Sequence, residues 1–390
     1  MSKPEHQELL VKCISQNLEV QVTSVFAPII QTIASAIEVA TDNNQTSAYW
    51  LSNLALLRCL LQRRFTSATI PCKSMIGLAC VLSLKGYMGG RVVLSSLSRQ
   101  REVEAKYPAL LFKQQLTALL EKMYGMIRDN LKKEISPLLE LCIKAQRKKF
   151  PQQALTAYWQ SIVERLSSYL ILMKANIVPP FLVSKIYIQI FSFINVELFN
   201  RHKDFCIIKL CSLLLRRECC SFSNGEYVKA GLDELKQWCI EATDEYVGSA
   251  WDELRHIREA VSFLVIRKKQ EKTLEELTRE ICPVLSIAQL YRISTMYWDD
   301  KYVSYTHDHG VSSDVLKKMR RVMDLTVTEE SNNIFGRSFL LEDDSSIPFT
   351  VEDISKSMQE LDVNDFELPQ LIHENAGFSF LLTRGEGSPL

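Results

Sequence analysis

Apolar positions recur at helical spacing along most of this 390-residue chain. Trp50, Leu51, Leu54, Leu57 and Leu61 share one face, which predicts a helix starting at Thr46 or Ser47, after the loop-like DNNQ, and closing near Arg63 and Arg64. Pro108 suits a first helical position, where a missing N–H costs nothing. From there Phe112, Leu116, Leu119, Leu120, Met123, Ile127, Leu131 and Ile135 form a long amphipathic run that Pro137 ends or kinks. Residues 152–174 read as a further amphipathic helix. Beyond the Pro179-Pro180 break, residues 181–200 are apolar on most sides, the pattern of a helix in the middle of a bundle.

After a turn expected at Ser223-Asn224-Gly225, one helix is predicted to end near Trp238. Another spans 249–266, with Trp251, Leu254, Ile257, Val261, Leu264 and Val265 on a single face. Three starts carry box-like signals, in which a hydroxyl and a side chain three residues on satisfy free N–H groups: Ser249 with Asp252, Thr273 with Glu276, and Ser286 with Gln289. From Met323 the texture changes. Acidic residues alternate with short apolar clusters, as in Phe339-Leu340-Leu341 and Phe378-Ser379-Phe380-Leu381-Leu382, with one short helix expected around 351–358. This reads as an extended strap whose apolar knobs need a surface.

With 47% hydrophobic residues and only 13 Gly and 12 Pro, the chain is a folded, all-α protein rather than a disordered, sandwich or barrel one. Residues 169–199 are the most apolar stretch, but Lys174, Asn176, Lys185 and Gln189 interrupt it, so a buried helix is expected and no transmembrane segment. The formal net charge is zero, which argues against nucleic acid as a partner. That zero conceals an asymmetry. Residues 1–240 hold 30 Lys and Arg against 18 Asp and Glu, a balance of +12, and the remainder carries the opposite −12. From Asp324 onward, 14 acidic residues face only Arg337, Lys356 and Arg384, so an acidic strap returning to a basic bundle is expected. Eleven scattered cysteines, without C-x-x-C and without an export signal, point to buried thiols in a reducing compartment.

Chemistry-bearing motifs are sparse. There is no phosphate-cradling glycine loop, dinucleotide fingerprint or nucleophile elbow, and no cofactor is implied. Asp299-Asp300 as acid and base, His307 and His309 as metal ligands, and His202 with Cys206 and Cys211 as a zinc site all have blander readings as solvated or buried side chains. The non-enzyme reading is therefore preferred. The basic run Lys144, Arg147, Lys148 and Lys149 is either a solvated loop or a dock for an acidic surface.

Longer strings carry a resemblance. LLRRECCSFSNGEYVKAGLDELKQW (214–238), SAWDELRHIREAVSFLVI (249–266), ICPVLSIAQLYRISTMYWDDKY (281–302) and SFLLEDDSSIPF (338–349) resemble the globular tail, or dilute domain, of plant class XI myosins, counterparts of class V. AYWLSN (48–53) and IRDNLKKEISPLLELCI (127–143) are similar to the same domain. The resemblance implies helical subdomains over 1–190 and 191–335, joined by long helices, with an acidic strap over 336–390 packing back on the first. Two departures stand out. The family pattern has a further helix where this chain is shortened near 18–26, and it lacks the segment 201–211.

The resemblance also implies a role: non-catalytic cargo binding for an actin motor, cytoplasmic and peripheral on vesicles or organelles. Partners would be receptor proteins or Rab-type small GTPases. The ATPase head, the neck and the dimerising coiled coil of such a motor are not seen here. In class V tails a Tyr and a Gln bind the GTPase; Gln189 matches, with Tyr158 the nearest Tyr. Head inhibition in the family uses basic residues in two loops. The run 144–149 stands at the first, whereas Asn224 occupies a second-loop position that can be Lys. A motor-less helical tether of membrane traffic is the alternative.

Overall fold

The computed structural model describes residues 30–38 in part, 43–67, 108–142, 157–200, 219–301, 310–327 and 341–358. Ten α-helices of the described residues are named here: α1 (Asn44–Ser67), α2 (Pro108–Leu141), α3 (Ala157–Ala175), α4 (Pro180–Asn200), α5 (Phe222–Ala242), α6 (Asp244–Val247), α7 (Arg255–Val265), α8 (Ile287–Met296), α9 (Ser313–Val327) and α10 (Val351–Ser357). No strand occurs among the described residues; one isolated bridge pairs Ser221 with Trp298. The all-α expectation holds. Residues 18–26, 144–149, 201–211, 307–309 and 378–382 lie outside the described residues, and with them the basic run, both departures, the histidine and cysteine candidates and the distal apolar knobs.

Two compact units are distinguished. One comprises the described residues up to Tyr124 with those from Phe349 onward, and the other is Gly125–Pro348. In the first, α10 packs on α1. The Arg58 guanidinium donates to Thr117 Oγ1 at 3.0 Å, and Phe349 meets the Tyr124 ring edge-on with centroids 4.9 Å apart. Thr350 and Asp353 form a full capping box at the start of α10.

The second unit is built around α4, whose Leu182, Val183, Ile186, Tyr187, Ile190, Phe191 and Ile194 are fully buried. Among the described residues it is the one helix long and apolar enough to cross a membrane, yet it packs against α6, α7 and the 3-10 turn Ala250–Leu254. Tyr187 and Phe191 stack around Trp238 of α5, whose indole N–H donates to Ser167 of α3 at 2.9 Å. Asn195 on α4 accepts from the Ile257 N–H at 3.0 Å, supplying a partner that the first turn of α7 lacks internally. Burial pushes the Lys269 ammonium down to about 7, with Asp299 opposing; it donates to the carbonyls of Leu264 and Ile266 and sits 3.9 Å from the Tyr297 ring centroid.

Several local expectations are corrected. α1 starts at Asn44, because Asn43 Oδ1 accepts from the Gln45 and Thr46 N–H groups and so caps the helix from within the supposed loop. Of the two expectations for Pro137, an end or a kink, the end does not occur: α2 continues four residues beyond it, to Leu141. The expected turn Ser223-Asn224-Gly225 is instead the first turn of α5: Ser221 caps it by accepting from the Asn224 N–H, and Asn224 Nδ2 donates to the Cys219 carbonyl at 2.9 Å. Ser249 makes no side-chain cap, and a 3-10 turn precedes α7 in place of one continuous helix. The Thr273–Glu276 and Ser286–Gln289 boxes do form, the first leading into a π-helical turn at Glu276–Ile281.

Glycine fixes how closely α5 approaches its neighbours. A Cβ on Gly231 would fall within the Trp159 indole of α3, and one on Gly225 would stand 2.7 Å from Leu264 Cβ of α7. Gly125 of α2, by contrast, has only the end of Arg128 near it, at 3.9 Å. Gly231→Ala is therefore expected to lower the urea unfolding free energy by about 1–3 kcal/mol, and Gly125→Ala to raise it by about 0.5–1 kcal/mol. Equal effects of the two substitutions would contradict this packing.

Candidate functional site

On α2, Arg128 and Lys132 each follow a residue of the apolar face, Ile127 and Leu131, and one helical turn separates them. That register draws both cations under cover: Arg128 is 5% exposed and Lys132 8%. Gln189, on the facing side of α4, is 6% exposed. A buried charge needs strong partners, and residues 341–348 of the strap supply them in an irregular run that bends at Ser346.

The strap is read mainly through its backbone. Gln189 Nε2 donates to the Ser346 carbonyl at 2.7 Å and to that of Asp344 at 3.2 Å. Arg128 Nη1 donates to the Ser345 carbonyl at 2.7 Å and to Gln189 Oε1 at 3.3 Å, while its Nε pairs with Asp129 at 2.7 Å. Two side chains are read directly, both by Lys132. Lys132 Nζ donates to both Asp343 oxygens, at 2.8 and 2.9 Å, and to Ser345 Oγ at 3.2 Å, with the Phe193 ring centroid 5.1 Å away. The strap also braces itself: the Ser346 N–H donates to Asp344 Oδ1 at 2.8 Å. That N–H and the Ser346 hydroxyl hold the Asp344 carboxyl below its ordinary range, with Arg128 and Lys132 adding to the effect.

Gln189 is thus placed beneath the strap. Tyr158, half-buried in the first turn of α3, neighbours Tyr227 of α5. Asn224, read as a second-loop position, is 2% exposed inside α5 and spent on its own cap. Asp299 and Asp300 serve as local acceptors, Asp300 from the Ser223 N–H at 2.9 Å and Asp299 from the Lys301 N–H at 3.0 Å. Among the described residues no three His, Cys, Asp or Glu side chains are grouped to hold a metal. Arg128 and Lys132 are the functional candidates that reading the sequence missed; the one local signal was two cations a turn apart beside an apolar seam.

A DIL domain model matches residues 185–301. Myosin-17 of Arabidopsis thaliana is 60% identical, over 98% of this chain and 27% of its own length. The chain carries the globular tail of a class XI myosin. This tail spans about a quarter of the length of the relatives it matches. It shares its fold with a structure described as the myosin V cargo binding domain, at TM-score 0.60 and 16% identity, covering 93% of this chain and 83% of the other. It also matches, at TM-score 0.53 and 15% identity over 87% and 69%, a complex of the carboxy-terminal domain of Myo4p with a She3p middle fragment.

The ion pair in the class XI tail is lopsided, since the Lys132 side chain is 9% exposed and that of Asp343 30%. Removing the acid strands a buried ammonium, whereas removing the base leaves a carboxylate that water can reach. Asp343→Ala is expected to cost about 1–3 kcal/mol and Lys132→Met less than about 1 kcal/mol. Chemical denaturation of both variants checks the order. A costlier Lys132→Met would contradict it.

Proposed function

We propose that this globular tail is the cargo-binding end of an actin-based class XI motor and that it docks receptor proteins on vesicles or organelles. The membership of the chain in the class XI tails carries this reading. The chemistry agrees: buried thiols such as Cys142 and Cys220 are pushed above their ordinary range by desolvation, so they act as packing groups, and the polar side chains singled out above bind backbone and caps. A tail of this kind works as a surface, in the cytoplasm and peripheral to the organelle. The Myo4p complex with a She3p fragment shows a related fold bound to a second protein, which supports a receptor protein as the partner class here.

Rab-type small GTPases are proposed as a second partner class through Gln189 and Tyr158, with the strap above Gln189 then bearing on access. Contact with the motor head is proposed through Lys144, Arg147, Lys148 and Lys149, because burial removes Asn224 from such a role.

Overproduced without a head, the tail should compete with intact motors for receptors and slow organelle movement in plant cells. Purified tail should also retain receptor coiled coils on beads. Undiminished organelle speed together with no retention, by a tail shown to be folded, would overturn the cargo reading.

A further inference from the structure

The groove formed by Arg128, Lys132 and Gln189 reads its occupant in a manner indifferent to most of the occupant's sequence. Three consecutive carbonyls, of Asp344, Ser345 and Ser346, receive the Arg128 and Gln189 donors, and two side chains, the Asp343 carboxylate and the Ser345 hydroxyl, face the buried Lys132. Residues 342–346 are themselves exposed, so water reaches the strap from outside while the groove floor beneath it is buried. Any segment that can follow the same bent course and offers a carboxylate just before two or three free carbonyls satisfies the same donors. The strap holds its place through these polar contacts, of which the Asp343 carboxylate is within reach of water, and through tethering, since a segment of the same chain acts at an effective concentration of about 1 mM. Because the Asp343 end of the ion pair is accessible, the contact can open, and salt weakens it modestly.

We propose that this groove is a receptor for an acidic peptide segment of a cargo partner, and that residues 343–346 occupy it in cis as a built-in competitor. The occupant is an acidic segment. The charge complementarity of Lys132 with Asp343 and the strap as an observed template both argue for it. The identity of the partner as cargo rests on the preceding reading; the affinity of the groove for acidic peptide does not. Residues 341–348 therefore do more than connect α9 to α10. They set the threshold that a partner peptide must exceed.

The test uses the intact chain and a fluorescent peptide of its own strap sequence, LEDDSSIPF, titrated by anisotropy. The wild-type chain should bind it weakly. Asp343→Ala, which loosens the strap, should bind it about tenfold tighter or more, a change of about 1.4 kcal/mol. Adding Lys132→Met to that variant should remove the gain, as should replacing the peptide's third residue, Asp, by Asn. Raising salt from about 50 to about 300 mM should weaken the binding that remains. If Asp343→Ala does not fold, Asp343→Asn takes its place as the nearly isosteric version. A folded variant that shows no gain, or that binds a scrambled peptide equally, overturns the proposal. So does a variant that dimerises in light scattering without gaining peptide affinity, because the strap would then be exchanging between copies. Loss of receptor capture with peptide binding intact would instead count against the cargo reading alone.

Discussion

Two cations on the buried side of α2 set the terms for the second unit. Arg128 and Lys132 could have been apolar at little cost to a helix, and as charges they destabilise the unit unless donors and acceptors are matched around them. Gln189 and the strap do the matching. Gln189 accepts from Arg128 while its own amide donates to the strap, so α2, α4 and residues 343–346 meet in one hydrogen-bonded cluster. A polar cluster of this kind is sensitive to each member. It also explains why the chain returns across α2 at this point: the strap there is held by carbonyls, one carboxylate and one hydroxyl, and beyond it Phe349 begins the apolar docking with Tyr124.

The net charge of zero takes on a narrower meaning in this light. The +12 and −12 portions suggested a broad attraction between acidic strap and basic bundle. In the described residues the strap's acids are used mostly locally. Asp344 turns back on Ser346, and Asp353 caps α10. The long-range attraction resolves into the Lys132–Asp343 pair and the proximity of Glu352 to Arg58. Among the described residues, specific placement rather than bulk charge holds the strap.

How much of this was legible beforehand follows from the range of each interaction. Pro108 opening α2, the Ser286–Gln289 box, the apolar α4 and the short helix after Thr350 rest on residues within a few positions of each other, and they stand where the pattern puts them. The class XI tail was legible because long strings such as 214–238 and 281–302 carry it. What escaped reading depends on distance. Ser223-Asn224-Gly225 has turn composition, but Ser221 caps it into α5, and Gly225 is there for the close passage of α7. Ser249 has the right spacing for a cap and makes none. Gln189 could be singled out by resemblance, yet nothing local showed that Asp344 and Ser346, over 150 positions away, would cover it.

The central claim is that the strap is held on α2 by a coupled charge pair within this cluster. A double-mutant cycle on Lys132→Met and Asp343→Ala, read by equilibrium urea unfolding of the intact chain, addresses it most directly. With the ammonium gone, losing the carboxylate should cost little, so the double variant should be no less stable than Asp343→Ala alone, with a coupling of about 1 kcal/mol or more. Additive effects, within about 0.3–0.5 kcal/mol, would contradict the account.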